Sequence, residues 1–158
     1  MTATSKIANN GKATTIRKTF TRETSVAISI QADPSIIWKL LTIASDFPRW
    51  NSTILSIEGS IAPGKKIKLR AAMAPKRVFK LSIREMVPEQ RLSWGDAMGT
   101  RIFTISKNGN SSDFNMSEKI GGPLFPLFAK HIPSFDAPFE QFAADLKREV
   151  ESIQHLKK

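Results

Sequence analysis

Two charged side chains are candidates for chemistry because their positions alternate in phase with apolar residues. Arg101 and Glu118 share the alternation of Phe103, Phe114 and Met116, so we expect both on the apolar side of a sheet. A charged pair placed there can orient a polar group of a ligand, and a buried carboxylate has an altered pKa. The alternative is an ion pair at the rim of the sheet, which contributes little to stability.

Two further titratable residues have a weaker case. His131 follows the Gly- and Pro-rich segment 121–128, which we interpret as a loop or short distorted helix lying over an opening. It can donate to a ligand or act as a general base, although a lone histidine near a loop usually does neither. Glu85 shares phase with Leu81 and Ile83 and is a similar case.

The composition narrows the classes of function. The chain has 158 residues, of which 41% are apolar, as expected for one domain with a real core. It has no cysteine, which excludes disulfides and thiol chemistry and favours a cytoplasmic location. With no tyrosine and two histidines, few acid/base groups remain, and no nucleotide-binding or metal-protease spacing occurs. We therefore expect no cofactor and no metal.

The formal net charge of +10 raises the question of an anionic partner. Basic residues of the central segments are expected on polar strand faces: Lys65, Lys66, Lys68, Arg70, Lys76, Arg77, Lys80 and Arg84. They can contact an anionic membrane peripherally, or form a solvated surface. No aromatic residue interleaves with them on the polar face, which argues against nucleic acid.

The N-terminal segment differs in composition from the rest. Residues 1–22 carry five basic residues, no acid and no apolar periodicity, so we predict a flexible basic tail followed by one domain over residues 23–158. The alternative for the tail is an organellar targeting segment.

The remaining sequence predicts a strand, a helix, about six strands and a long helix. Residues 23–31 alternate as a half-buried strand, and Asp33 can cap a helix that begins at Pro34. From residue 52 to 120 the strands follow one another. Asn108-Gly109 predicts a two-residue hairpin turn, which would place Arg101 opposite Met116 and diagonal to Glu118.

The last helix organises the predicted fold. From residue 135 to about 156 its apolar residues lie within a stripe of about 80° on one face. That stripe must cover the apolar face of the strands, which predicts an α+β domain. A strongly curved sheet need not close on the helix, so aromatic residues can line a cavity between them.

These segments together resemble the START-like superfamily (SRPBCC), in particular its polyketide cyclase/dehydrase and lipid-transport group. The resemblance rests on the first strand, the Ala-Asp-Pro helix with Ile37 and Trp38, Trp50-Asn51, the strand run and the C-terminal amphipathic helix. It covers about residues 23–156. It implies a helix-grip fold, a curved antiparallel sheet of about seven strands wrapped on the C-terminal helix, with an internal cavity for a hydrophobic ligand.

We therefore predict a protein that binds or transports a small hydrophobic molecule, such as a lipid, isoprenoid or polyketide. The expected ligand-binding residues are Trp50, Asn51, Leu69, Leu81, Ile83, Trp94, Arg101, Phe103, Phe114, Met116, Glu118, Phe135, Phe139 and Phe142. The alternatives are a cyclase/dehydratase-like enzyme using Arg101, Glu118 and His131, and a basic module on an anionic membrane or nucleic acid. Because no catalytic constellation is recognisable, we favour a binder over an enzyme.

Overall fold

One curved, unclosed antiparallel sheet packs against a long C-terminal helix in the computed structural model, which describes residues 10–157. The sheet order is β1-β2-β8-β7-β6-β5-β4-β3. The elements are β1 (Ala13–Arg17), β2 (Thr21–Ile30), α1 (Pro34–Thr42), a 3-10 turn (Ala44–Asp46), α2 (Phe47–Trp50), β3 (Ile54–Glu58), β4 (Lys66–Ala71), β5 (Phe79–Val87), β6 (Arg91–Gly95), β7 (Gly99–Asn108), β8 (Ser111–Gly121), α3 (Phe125–Phe128), a second 3-10 turn (Ala129–His131) and α4 (Asp136–Leu156). The predicted α+β helix-grip architecture is confirmed.

The local signals act as expected at the first helix. Asp33 caps α1 by accepting a hydrogen bond from the Ser35 backbone N–H at 2.9 Å, and Pro34 occupies the first turn. Along β2, alternate residues are buried, as the sequence alternation predicts.

The N-terminal segment is a strand where we predicted a tail. Strand β1 pairs with β2, and the sheet thereby has eight strands, one more than expected. Glu140 of α4 accepts a hydrogen bond from the Ala13 N–H at 2.9 Å, and Asp136 accepts one from the Thr15 hydroxyl. These contacts to α4 hold β1 in place. The Thr-rich sequence of this segment has no apolar periodicity, so it does not predict a strand. Residues 1–9 of the predicted tail lie outside the described residues.

The hairpin between β7 and β8 differs from the prediction by a shift of register. Its turn is Gly109-Asn110, with Asn108 paired to Ser111 and Gly109 at φ 62°. The shift places Arg101 directly opposite Glu118. Because the shift is an even number of residues, every side chain keeps its predicted face.

A second irregularity moves Glu85 to the solvent. The register of β5 against β6 changes between Ile83 and Glu85, as at a β-bulge. Glu85 therefore leaves the phase of Ile83, is exposed, and pairs with Arg91 at 3.0 Å. The prediction that Glu85 faces the apolar side is wrong.

Candidate functional site: a pocket between the sheet and the C-terminal helix

Six aromatic rings fill one half of the space between the sheet and α4. Their centroids lie 4.9–6.5 Å from their neighbours. The cluster consists of Phe47, Trp50, Trp94, Phe103, Phe114 and Phe142. All are buried, and rings at such distances gain from both burial and edge or stacked contacts. This half of the interior is therefore solid core.

The other half holds a pocket of about 640 Å³. Strands β4 to β8 form one wall, and residues 131–142 form the other. Most of the lining is apolar, including Leu69, Phe79, Met116, Ile132 and Phe139. The volume falls within the range of about 300–1,000 Å³ that is typical of small-molecule sites.

Nine of the predicted site residues line this pocket. They are Leu69, Leu81, Trp94, Arg101, Met116, Glu118, Phe135, Phe139 and Phe142. His131 lies on the same lining, so the structure brings all three proposed chemical groups, Arg101, Glu118 and His131, to one pocket.

The other five predicted residues lie outside the lining: Trp50, Asn51, Ile83, Phe103 and Phe114. Ile83 and the three aromatic residues belong to the core. Their alternation in the sequence predicted the face of the sheet on which they lie, but not which part of that face is filled by side chains. These five positions therefore do not border the pocket.

Asn51 has a structural role in place of the predicted ligand contact. Its side-chain oxygen accepts from the Thr53 N–H at 3.1 Å and from the Thr53 hydroxyl at 2.6 Å. Its amide donates to the Phe142 carbonyl at 3.4 Å. With these bonds made inside the protein, the buried amide ties the loop before β3 to α4.

The chief polar feature of the pocket is the ion pair between Arg101 and Glu118. The Arg101 Nε donates to Glu118 Oε1 at 3.0 Å, and the side chains are 16% and 19% exposed. The Arg101 guanidinium lies 5.0 Å from the centroid of the Phe139 ring, a cation–π contact. The pair is therefore part of the pocket wall and not a solvated pair at the sheet rim.

Arg22 supports the same wall and was missed from the sequence. It is 3% exposed and donates to the carbonyls of Ile132 and Pro133 at 3.1 and 2.9 Å. Its guanidinium lies over the Phe135 ring at 4.9 Å. Desolvation by burial, with the nearby Arg17 charge, lowers the pKa of Arg22. The signal was present, since Arg22 extends the buried alternation of β2, but the tail interpretation of residues 1–22 concealed it.

The segment beside the pocket exposes large apolar side chains. Leu124, Leu127 and Phe128 are 60%, 66% and 46% exposed, while Phe125 is buried. Exposed Phe20 is adjacent, since its carbonyl accepts from the Gly122 N–H at 3.0 Å. Clustered exposed apolar residues of this kind mark interaction surfaces.

Within residues 10–157, no three histidine, aspartate or glutamate side chains group as metal ligands would. In the same range, no helix combines the length and the hydropathy that crossing a bilayer requires.

Comparisons with known proteins identify the fold. The sequence matches no protein-family model and no curated protein. A START superfamily protein from Mycobacterium smegmatis is 15% identical over 83% of this chain and 98% of its own, with a TM-score of 0.61. The Aha1 dimer from Colwellia psychrerythraea is 18% identical over 82% and 96%, with a TM-score of 0.63. A conserved protein of unknown function from Enterococcus faecalis is 19% identical over 92% and 81%, with a TM-score of 0.67.

These similarities show that the chain has a START-like fold, as the resemblance implied. Sequence identities this low are evidence for the fold alone, so activity has to be argued from the residues of the site.

Proposed function

We propose that this protein binds a small hydrophobic molecule in the pocket between β4–β8 and α4. The observation that carries the proposal is the space itself. About 640 Å³ lies beside a densely packed aromatic cluster, in an interior that would otherwise be filled. Its lining is apolar apart from a few convergent polar groups, the pattern that small-molecule sites share. The START-like fold supports the same function.

The test is uptake of a neutral, environment-sensitive dye such as Nile red. We expect saturable fluorescence with the native protein and a loss of at least about tenfold in affinity for Ala71→Phe, which adds bulk to the pocket lining. Lys68→Phe adds the same ring on the opposite, exposed face of β4 and should leave affinity unchanged. Equal binding by both variants, or no binding by the native protein, would contradict the proposal.

A second candidate is a cyclase/dehydratase-like enzyme, favoured by the presence of Arg101, Glu118 and His131 on one pocket. It predicts conversion of a poly-β-carbonyl thioester to a cyclised or dehydrated product, measured by liquid chromatography and mass spectrometry. His131→Asn should abolish the product while leaving Nile red binding intact. A native protein that yields no product above the uncatalysed level would remove this candidate.

A third candidate is contact with an anionic membrane, through which a hydrophobic ligand would enter or leave. The exposed residues Leu124, Leu127 and Phe128 favour it, and Lys130 next to them suits anionic headgroups. Nucleic acid, the other partner considered for the basic surface, has no comparable feature in its favour within residues 10–157.

A further inference from the structure

Two stacked aromatic rings, each with a cation over it, lie at the start of α4. The Phe135 and Phe139 rings are nearly parallel, at 8° and 6.1 Å between centroids. Arg22 lies over Phe135 and Arg101 over Phe139. Both rings and Arg101 line the pocket. The pocket is therefore apolar at the start of α4, and the Arg101 guanidinium is part of its lining there.

The two arginines use their donors differently. Arg22 donates through both terminal nitrogens to the backbone of residues 132–133, which fixes it in the wall. Arg101 donates only through its Nε, to Glu118. Among the described residues, no acceptor takes a hydrogen bond from its two terminal nitrogens, and neither nitrogen is sealed from solvent.

A planar guanidinium with its terminal donors free is suited to one kind of partner. Two parallel N–H groups match the two oxygens of a carboxylate in a bidentate pair. Glu118 restrains the Arg101 side chain through Nε, and Phe139 supports its face, so little ordering remains to be done on binding. In the half-buried setting such a pair is screened less than one on the surface.

We propose that the ligand is an apolar molecule with a carboxylate group, and that Arg101 binds this carboxylate while the apolar body lies along β4 to β6. This rests on the proposed binding function and specifies the ligand's chemical class. Glu118 is a positioning residue in this arrangement, since it holds Arg101 and does not contact the ligand.

Matched acids and neutral analogues separate this inference from the binding function. Dodecanoic acid, dodecanol and methyl dodecanoate, together with naphthoic acid and its methyl ester, compete with Nile red for the purified protein. We expect the better-fitting acid to bind about tenfold more tightly than its ester. Arg101→Met should reduce that ratio to about one.

Two further variants guard against misfolding and an unpaired charge. Arg101→Met combined with Glu118→Met replaces the pair by apolar groups of similar length and should give the same loss of acid preference. Lys68→Met, outside the pocket, should keep the native ratio. Dye displacement with equal affinity for acid and ester would overturn the carboxylate inference alone. Failure of the native protein to bind the dye or any analogue would overturn the binding function.

Discussion

Ser52, directly after Trp50-Asn51, donates two hydrogen bonds to one carboxylate oxygen of Asp145. Its backbone N–H and its hydroxyl lie 2.8 and 2.7 Å from Asp145 Oδ2. Asp145 is 1% exposed, and its other oxygen accepts from Gln141 at 2.7 Å and Arg148 at 3.0 Å. This carboxylate joins the loop before β3 to the middle of α4 and thereby fixes one edge of the pocket, which Ser52 and Gln141 line.

Removing the Asp145 carboxylate should destabilise the protein. Asp145→Ala leaves the Ser52 N–H without its acceptor, and we expect a loss of about 1–3 kcal/mol in the free energy of unfolding. Urea denaturation followed by tryptophan fluorescence measures it. Glu58→Gln, an exposed carboxylate in β3, should change stability by less than about 0.5 kcal/mol. Equal effects of the two variants would contradict the role of Asp145.

The stability contributed by Asp145 should depend on pH. Burial alone would raise the pKa of Asp145, but donors from Ser52 and Gln141 and the Arg148 charge lower it below the usual value. A lowered pKa stabilises the fold fully above the unfolded pKa of about 3.9 and less as pH falls through the folded value. The native protein and Asp145→Asn should therefore converge in stability below about pH 4. A difference that stays constant down to pH 2 would refute this.

Arg22 should be required for the wall of residues 132–133. Arg22→Met removes the donors to both carbonyls, and we expect a loss of about 1–3 kcal/mol together with weaker Nile red binding. Arg17→Met removes the same charge from the exposed part of the same hairpin and should be near neutral. Chemical denaturation and dye titration measure the two effects. The expectation fails if Arg17→Met is the more damaging change.

The exposed α3 segment should matter only for membrane contact. Leu127→Ser should weaken sedimentation with phosphatidylserine-containing vesicles by about tenfold, because it removes apolar area that would enter the headgroup region. Binding should also weaken as salt rises and be absent with neutral vesicles. Leu156→Ser, at an exposed leucine near the end of α4, is the matched control. Equal sedimentation of the two variants, or Leu127-dependent self-association in ultracentrifugation, would contradict the proposal of membrane contact.

Periodicity predicted the parts of the fold that depend on one face being buried. The α4 stripe and the alternation of β2 and β7 predicted the two layers of the fold. The register error at the β7–β8 hairpin is an even number of residues, so it did not change which side chains face the helix. Contacts distant in sequence escaped it: β1 is ordered by Glu140 and Asp136 of α4, and the bulge after Ile83 turned Glu85 outward. The cytoplasmic location and the polyketide cyclase/dehydrase subgroup stay predictions.

The candidate site was predictable in its faces but not in its position. Alternation put Phe114, Phe103 and Leu69 on one surface, yet the first two pack among the rings of the cluster, whereas Leu69 borders the pocket. Whether an inward ring fills or lines a space depends on the curvature of the sheet and on the path of α4. Neither quantity is contained in the local pattern.

Native mass spectrometry of the protein, isolated without detergent and followed by organic extraction, tests the central claim most directly. We predict a mass above that of the chain, released by solvent as an apolar molecule, and reduced in Ala71→Phe relative to Lys68→Phe. A native protein that carries no adduct and takes up none from a mixture of lipids and aromatic acids would contradict it.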